Sequence, residues 1–225
     1  DASPALAAWR ARCRIIPLGL DPARIPEPEP AARTRAAARW GATPFRILAI
    51  GRLTYYKGHE TLIQAAVDVP DSRVLIVGTG ERRARLAARI QALGMGERVG
   101  LPGFQPEADL NALLASCDVL CLPSLERTEA FGLVLLEAMR FGKPVVVSAI
   151  PGSGAGWVTQ QAGHGLWVPV GDPAALAAAL RELQRDPARR RALGQAGATA
   201  LRERFGIEPV AAAVTALYQQ VLAGG

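Results

Sequence analysis

From about residue 45 the hydrophobic positions follow two alternating patterns. Short, continuous, β-branched runs occur at "RILAI", "RVLIV", "RVGLP", "DVLCL", "PVVVS" and "GLWVPV". Between them, "GHETLIQAAVDV", "ERRARLAARIQALGM", "ADLNALLAS" and "FGLVLLEAMRFG" space their apolar residues as helices do. Strands that are apolar on both faces and separated by helices predict a parallel sheet covered on each side. The crossovers should be right-handed. The fold class is therefore α/β, a doubly wound parallel sheet with helices on both faces. From Asp172 onward the pattern is helical, broken near "RDPARR" and "RFGIEP". Upstream, residues 1–13 read as a helix and "RIIPLGLD" as a short strand and turn. "PARIPEPEPAARTR" reads as a flexible, Pro-rich connection. No internal repeat is visible. The chain divides into 1–43, helix, short strand and linker; 44–206, the sheet domain; and 207–225, a terminal helix.

Composition adds limits to this picture. The chain has 225 residues, half of them hydrophobic, enough for a sizeable core. No apolar run approaches the ~20 residues of a membrane span. The start "DASPALAAWRARC" lacks the basic and hydrophobic regions of a signal peptide, and it lacks Met, so a piece of a longer protein is expected. Cys13, Cys117 and Cys121 fit no zinc spacing. Cys117 and Cys121 flank "DVLC" and read as reduced core residues of a cytoplasmic protein, with a redox or metal role as the alternative. His59 and His164 lie far apart among small and turn-forming residues and make no metal pair.

The net charge of +6 suits anionic partners. Much of it sits in helical stretches such as "DPARRRALG", where a solvated face is the simpler reading. Aromatics are few and no zinc-finger or RRM signature is present, so nucleic acid is not expected as a partner. Only Lys57 and Lys143 break an otherwise all-arginine basic set. Lys143 reads as a surface turn. Lys57 needs more attention, because ammonium and guanidinium are not interchangeable.

Ligands of doubly wound sheets bind beyond the carboxyl ends of the strands. The segments there are "GRLTYYKGHE", "GTGERR", "GFQPE", "PSLERTEAFG" and "AIPGSGAGW". In the first, Gly51 permits a turn and a close approach. Arg52 offers a fork of donors and Lys57 a second cation, just before a helix start that favours anions. That set suits a diphosphate. Pairing of both cations with surface acids is the other reading. "GTGERRA" lacks the third glycine of a dinucleotide fingerprint, since residue 83 is Arg, and no Walker sequence occurs.

"EAFGLVLLE", residues 129–137, keeps two acids in an apolar stretch. A helix is expected to begin near Phe131 or Gly132 and to end near Phe141. The amides of Phe131, Gly132 and Leu133 would then lack intrahelical partners. Glu137 sits among Leu133, Leu135, Leu136 and Met139, on a helix read as buried nearly all round. Its carboxylate must accept hydrogen bonds there. Ligand hydroxyls, Arg140 or a backbone N–H would each serve.

"EAFGLVLLE" resembles the E-x7-E motif of retaining glycosyltransferases of GT-B fold. "GRLTYYKGHETLIQA" is similar to the phosphate-binding turn of glycosyltransferase family 4 (group 1). "RVLIVGTGERRARL", "LPGF" and "LPSLERTEAFGLVLLEAMRFGKPVVV" follow in the family's order. The resemblance runs from about Ile15 to about Leu180. It implies one half of a GT-B fold: the Rossmann-like, C-terminal domain that binds a nucleotide-sugar donor. The acceptor-binding N-terminal domain would be missing, and the last helix would cross back toward it. Arg52 and Lys57 would hold the diphosphate, with Gly51 beside them, and Glu129 would bind the transferred sugar. Phe131, Gly132 and Leu133 would present amides to sugar and phosphate. Glu137 would take the ribose hydroxyls, and Phe104 with Gln105 would lie beside the base.

The resemblance further implies a hexosyl-type transfer with retention from a UDP- or GDP-sugar, without metal or other cofactor. The acceptor would be a glycan or lipid-linked glycan. "PGSGAGW" resembles branches that build bacterial surface polysaccharides and leans toward mannose-type donors. The expected location is cytoplasmic, with peripheral contact at the inner membrane face in the full-length enzyme. The isolated chain should transfer nothing. Two other readings stand beside this one: a scaffold or binding domain with a vestigial site, and a sugar-nucleotide epimerase of similar fold.

Overall fold

The computed structural model describes residues 4–223. The strands are β1 (Phe45–Ile50), β2 (Ser72–Val77), β3 (Val99–Gly103), β4 (Val119–Leu122), β5 (Val145–Ser148) and β6 (Gly165–Val168). They form one six-stranded sheet in the order β3-β2-β1-β4-β5-β6. Every pairing is parallel. Each strand coincides, within a residue or two, with one of the apolar runs in the sequence. The order reverses between β1 and β4, which makes that junction the switch point of a doubly wound sheet.

The helices are α1 (Pro4–Ala7), α2 (Pro30–Trp40), α3 (His59–Val67), α4 (Arg83–Ala92), α5 (Glu107–Ser116), α6 (Leu133–Arg140), α7 (Gly154–Ala162), α8 (Pro173–Arg185), α9 (Pro187–Ala200) and α10 (Ile207–Ala223). Strand alternation explains the two layers. Phe45, Ile47, Val74, Ile76, Val119, Cys121 and Val146 pack against α3, α4 and α8. Leu48, Leu75, Val77, Leu120, Leu122, Val145 and Val147 face α2, α5, α6 and α7. Consecutive residues point to opposite faces, and both faces are buried. Cys117 and Cys121 lie in these cores as expected, while Cys13 is exposed. Burial pushes the Cys117 thiol up to about 12 and raises that of Cys121 as well.

Three local expectations need correction. Residues 30–40, read as flexible connection, form α2. Pro30 starts it, where a missing N–H costs nothing, and Ala32, Ala36 and Trp40 enter the core. Arg35 donates to Asp109 on α5, and the Trp40 indole donates to Ser116 Oγ at 2.9 Å. The helix expected over 1–13 contracts to α1 and a 3-10 turn at Arg10–Arg12, with residues 1–3 outside the described residues. Neither piece buries a residue, so nothing repays the cost of a longer helix. "RIIPLGLD" forms no strand and contributes one bridge, Leu20 to Gly206. "AIPGSGAGW", for which the sequence predicted no element, holds the start of α7. Ser153 caps α7, its Oγ accepting from Ala155 N–H at 3.2 Å, and Ala155, Val158 and Thr159 are buried. Packing overrides the low helix propensity of its glycines there.

The tail breaks where its sequence suggests. Asp186 ends α8 and caps α9, accepting from Arg189 N–H. A single π-turn, Leu201–Phe205, precedes Gly206 and α10. No helix among the described residues is long and apolar enough to cross a membrane.

Candidate functional site

The site is built on the carboxyl edge of the sheet, around the β1–β4 junction. β1 ends at Ile50, and Gly51 turns the chain with φ 153°. The stem of Lys57 folds back over that glycine, so a Cβ there would lie 3.1 Å from Lys57 Cε. Gly58 has φ 65°, and a Cβ on it would stand 1.9 Å from the Pro123 carbonyl oxygen. Only glycine allows the start of α3 to approach the end of β4 this closely. Leu125 N–H donates to the Tyr56 carbonyl at 2.7 Å and ties the same two loops.

This approach brings together residues far apart in sequence. Lys57 Nζ donates to Glu129 Oε2 at 2.5 Å. Both side chains are well buried, at 12% and 9% exposure. Ser124 Oγ donates to the same oxygen at 3.2 Å. Ser153 Oγ donates to the backbone carbonyl of Glu129 at 2.7 Å, and Gly154 N–H to that of Ala130 at 2.9 Å. The loop after β4 is thereby fastened to the start of α7. Sequence reasoning missed Ser124 and Ser153. A serine one residue past a strand carries no distinctive signal, and Ser153 is recognisable only as a helix cap.

Arg52 is exposed and makes no side-chain hydrogen bond or ion pair among the described residues. Its backbone carbonyl lies 3.4 Å from His59 Nε2. His59 is buried. Burial drives its pKa down to about 4, Lys57 adds to the fall, and the contact with Arg52 opposes it. The imidazole is therefore neutral and braces the turn that carries both cations.

Gly132 stands at the start of α6 in the left-handed region, φ 76° and ψ 60°. The helix begins at Leu133, one residue after the later of its expected starts and two after the earlier. The amides of Phe131, Gly132 and Leu133 find no acceptor among the described residues. They are orphan donors of a helix end. Phe131 packs partly against the core, whereas Leu133 is 50% exposed. α6 is thus buried along one face only, which corrects the expectation of a helix buried nearly all round. Glu137 lies half-buried off that core face. Its carboxyl pKa is raised, first by burial and then by the nearby charge of Glu107. No hydrogen bond or ion pair of Glu137 is found among the described residues. Arg140 turns instead to the carbonyls of Pro22 and Ile25 and to Glu27. The structural pairing open to Glu137 is therefore not made.

β3 ends at Gly103, and Phe104 beyond it is 76% exposed. Gln105 is buried, and its amide donates to the carbonyls of Pro102 and Phe104. Beside Phe131 a largely apolar groove of about 820 Å³ opens, lined by Ile16, Leu18, Ile150, Trp157 and Trp167 among others. The structure thus brings Gly51, Lys57 and Glu129 together, with Arg52 next in the chain to Gly51. It leaves Phe104 after the edge strand β3, with β2 between β3 and β1, and Glu137 a full turn into α6.

The fold is a doubly wound, Rossmann-like α/β domain with Arg52, Lys57 and helix-end amides at the carboxyl edge of its sheet, and comparison with known proteins specifies its family. Residues 31–200 match the family described as "Glycosyl transferases group 1". The chain belongs to that family, as the C-terminal domain of a GT-B fold. It is 34% identical over 207 residues to the D-rhamnosyltransferase WbpZ of Pseudomonas aeruginosa PAO1, covering 91% of this chain and 52% of that protein. It is 32% identical to the lipopolysaccharide core biosynthesis glycosyltransferase LpsD of Rhizobium meliloti 1021, covering 84% and 53%. Anabaena HepE, solved in complex with UDP, superposes with a TM-score of 0.79 at 25% identity, covering 90% of this chain and 56% of HepE. The chain spans about half the length of the curated relatives it matches.

Proposed function

We propose that this chain is the donor-binding half of a retaining glycosyltransferase that takes its sugar from a UDP- or GDP-sugar. The observation that carries the reading is the convergence of Lys57, Glu129 and Gly51 with the exposed Arg52 at the switch point. The orphan amides at the start of α6 belong to the same edge. Departure of a nucleoside diphosphate leaves charge on its terminal phosphate. Arg52, Lys57 and a helix N-terminus are fixed donors for that charge and need little reorganisation as it develops. No metal is required to supply it. Glu129 accepts from hydroxyls of the transferred sugar, and Glu137, without a hydrogen bond or ion pair among the described residues and half-buried, accepts from the ribose. Phe104 offers an exposed ring face to the base, with Gln105 behind it.

Neither glutamate is assigned as the nucleophile of a two-carboxylate mechanism; Lys57 and Ser124 hold Glu129 through Oε2. Retention is instead assigned by motif. The acceptor is a glycan or lipid-linked glycan of a bacterial surface polysaccharide, in keeping with the name of the lipopolysaccharide core relative. It binds the other half of the full-length enzyme, and this chain is expected to transfer no sugar by itself. The full-length enzyme works in the cytoplasm, at the inner membrane face.

Calorimetric titration with UDP, GDP, UDP-glucose and GDP-mannose tests the reading. One base should bind, and Arg52→Ala/Lys57→Ala should weaken it by at least ~100-fold, since two charge-assisted hydrogen bonds are lost. Undiminished binding in the double variant would refute the assignment of the diphosphate site. Sugar transfer by the chain alone would refute its being half an enzyme.

A further inference from the structure

Lys57 and Glu129 are assigned to different parts of one ligand, yet in the free chain they hold each other. The pair is not a loose surface contact. Its side chains are 12% and 9% exposed, and the bond is 2.5 Å. Neither partner is free to swing away. The Lys57 stem lies against Gly51, and the backbone around Glu129 is fastened by Ser153 and Gly154. Ser124 adds a second donor to the same carboxylate oxygen. Arg52, by contrast, is exposed, and its side chain has no partner among the described residues.

A phosphate that reaches Lys57 must therefore share it with a fixed, poorly solvated carboxylate. Like charges brought together in such a place repel more strongly than in water. A donor compensates, because its sugar hydroxyls donate to Glu129 and spread the carboxylate charge. A bare nucleoside diphosphate brings no hydroxyls there, and its terminal phosphate carries more charge than the sugar ester. We propose that Glu129 is a specificity-determining residue that penalises the bare diphosphate and so separates donor from spent product. This rests on the donor-site reading above. It adds that the acid works against one ligand as well as for the other, which favours release of product after transfer.

The test is calorimetry on the chain and on Glu129→Gln, with UDP, UDP-glucose, GDP and GDP-mannose as probes. For the base that binds, the unaltered chain should favour the sugar conjugate over the bare diphosphate by more than tenfold. In Glu129→Gln, affinity for the bare diphosphate should rise about tenfold, or about 1.4 kcal/mol, while the conjugate gains nothing. Glu129→Ala should shift the bare diphosphate in the same direction. A purely structural pair predicts the opposite, a less stable variant that binds both probes no better. If Glu129→Gln binds the diphosphate no more tightly, the inference is overturned and the donor site stands. Equal affinities for conjugate and diphosphate in the unaltered chain overturn it too, even if the variants fail to fold. If the unaltered chain binds no nucleotide, the donor-site reading falls and the inference with it.

Discussion

Gly58 decides whether the cationic turn and the Glu129 loop can meet. Its φ of 65° and the 1.9 Å to the Pro123 oxygen leave no room for a side chain. Gly58→Ala combines left-handed strain with a backbone clash, and should cost about 2–4 kcal/mol in urea unfolding. Loss of the Lys57–Glu129 approach should accompany it and weaken nucleotide binding. A variant of unchanged stability would show that the two loops have slack. At this scale the sequence was informative about types and silent about distances. Lys57 stands out as one of two lysines among arginines, whereas Arg52, Glu129 and Gly132 are picked out from other charged and glycine residues after the strands by the motifs shared with the family. Nothing in one dimension says that residues 57 and 129 touch. That contact follows from β1 and β4 being neighbours, with Gly58 permitting the last few ångströms.

Helix α2 belongs to the sheet domain rather than to a linker before it. Ala32, Ala36 and Trp40 are buried, and Trp40 is fully enclosed against α5. A chain that begins at residue 44 would expose that face and lose contacts comparable to a large-to-small core change, about 3–5 kcal/mol for Trp40 alone. It should melt far lower than a chain that begins at residue 28, by circular dichroism. Equal melting temperatures would restore the boundary drawn from composition. The misreading has a physical cause. Pro26, Pro28 and Pro30 make the segment look extended, but proline at the first helical position starts a helix as readily as it forbids one later. The six strands were legible because burial on both faces demands continuous apolar runs. α7 was not, since three glycines in "PGSGAG" mask a helix held by its capping serine and by packing.

The whole molecule hides two neutral imidazoles, and this makes its stability depend on pH in a specific window. His164 is fully buried, its ring nitrogens lack a well-formed hydrogen bond among the described residues, and a backbone contact with Thr159 only partly opposes the effect of burial. It lies where α9 crosses, its Cβ 3.0 Å from where a Cβ on Gly197 would be. Burial lowers its pKa to about 4, as it does for His59. In the unfolded chain both titrate near the ordinary value of 6.5. Between these values the unfolded state binds more protons than the folded one, so stability rises with pH. Falling pH should therefore cost stability from about 6.5 downward, with the loss levelling off below about 4. Each histidine contributes up to about 3 kcal/mol across the full window. His164→Leu removes one of the two, so the difference in unfolding free energy between pH 7 and pH 5 should shrink by about 2 kcal/mol. Reading the slope rather than the absolute stability separates titration from any packing cost of the leucine. An unchanged slope would mean that His164 keeps its proton in the fold, and would require an acceptor for it inside the core.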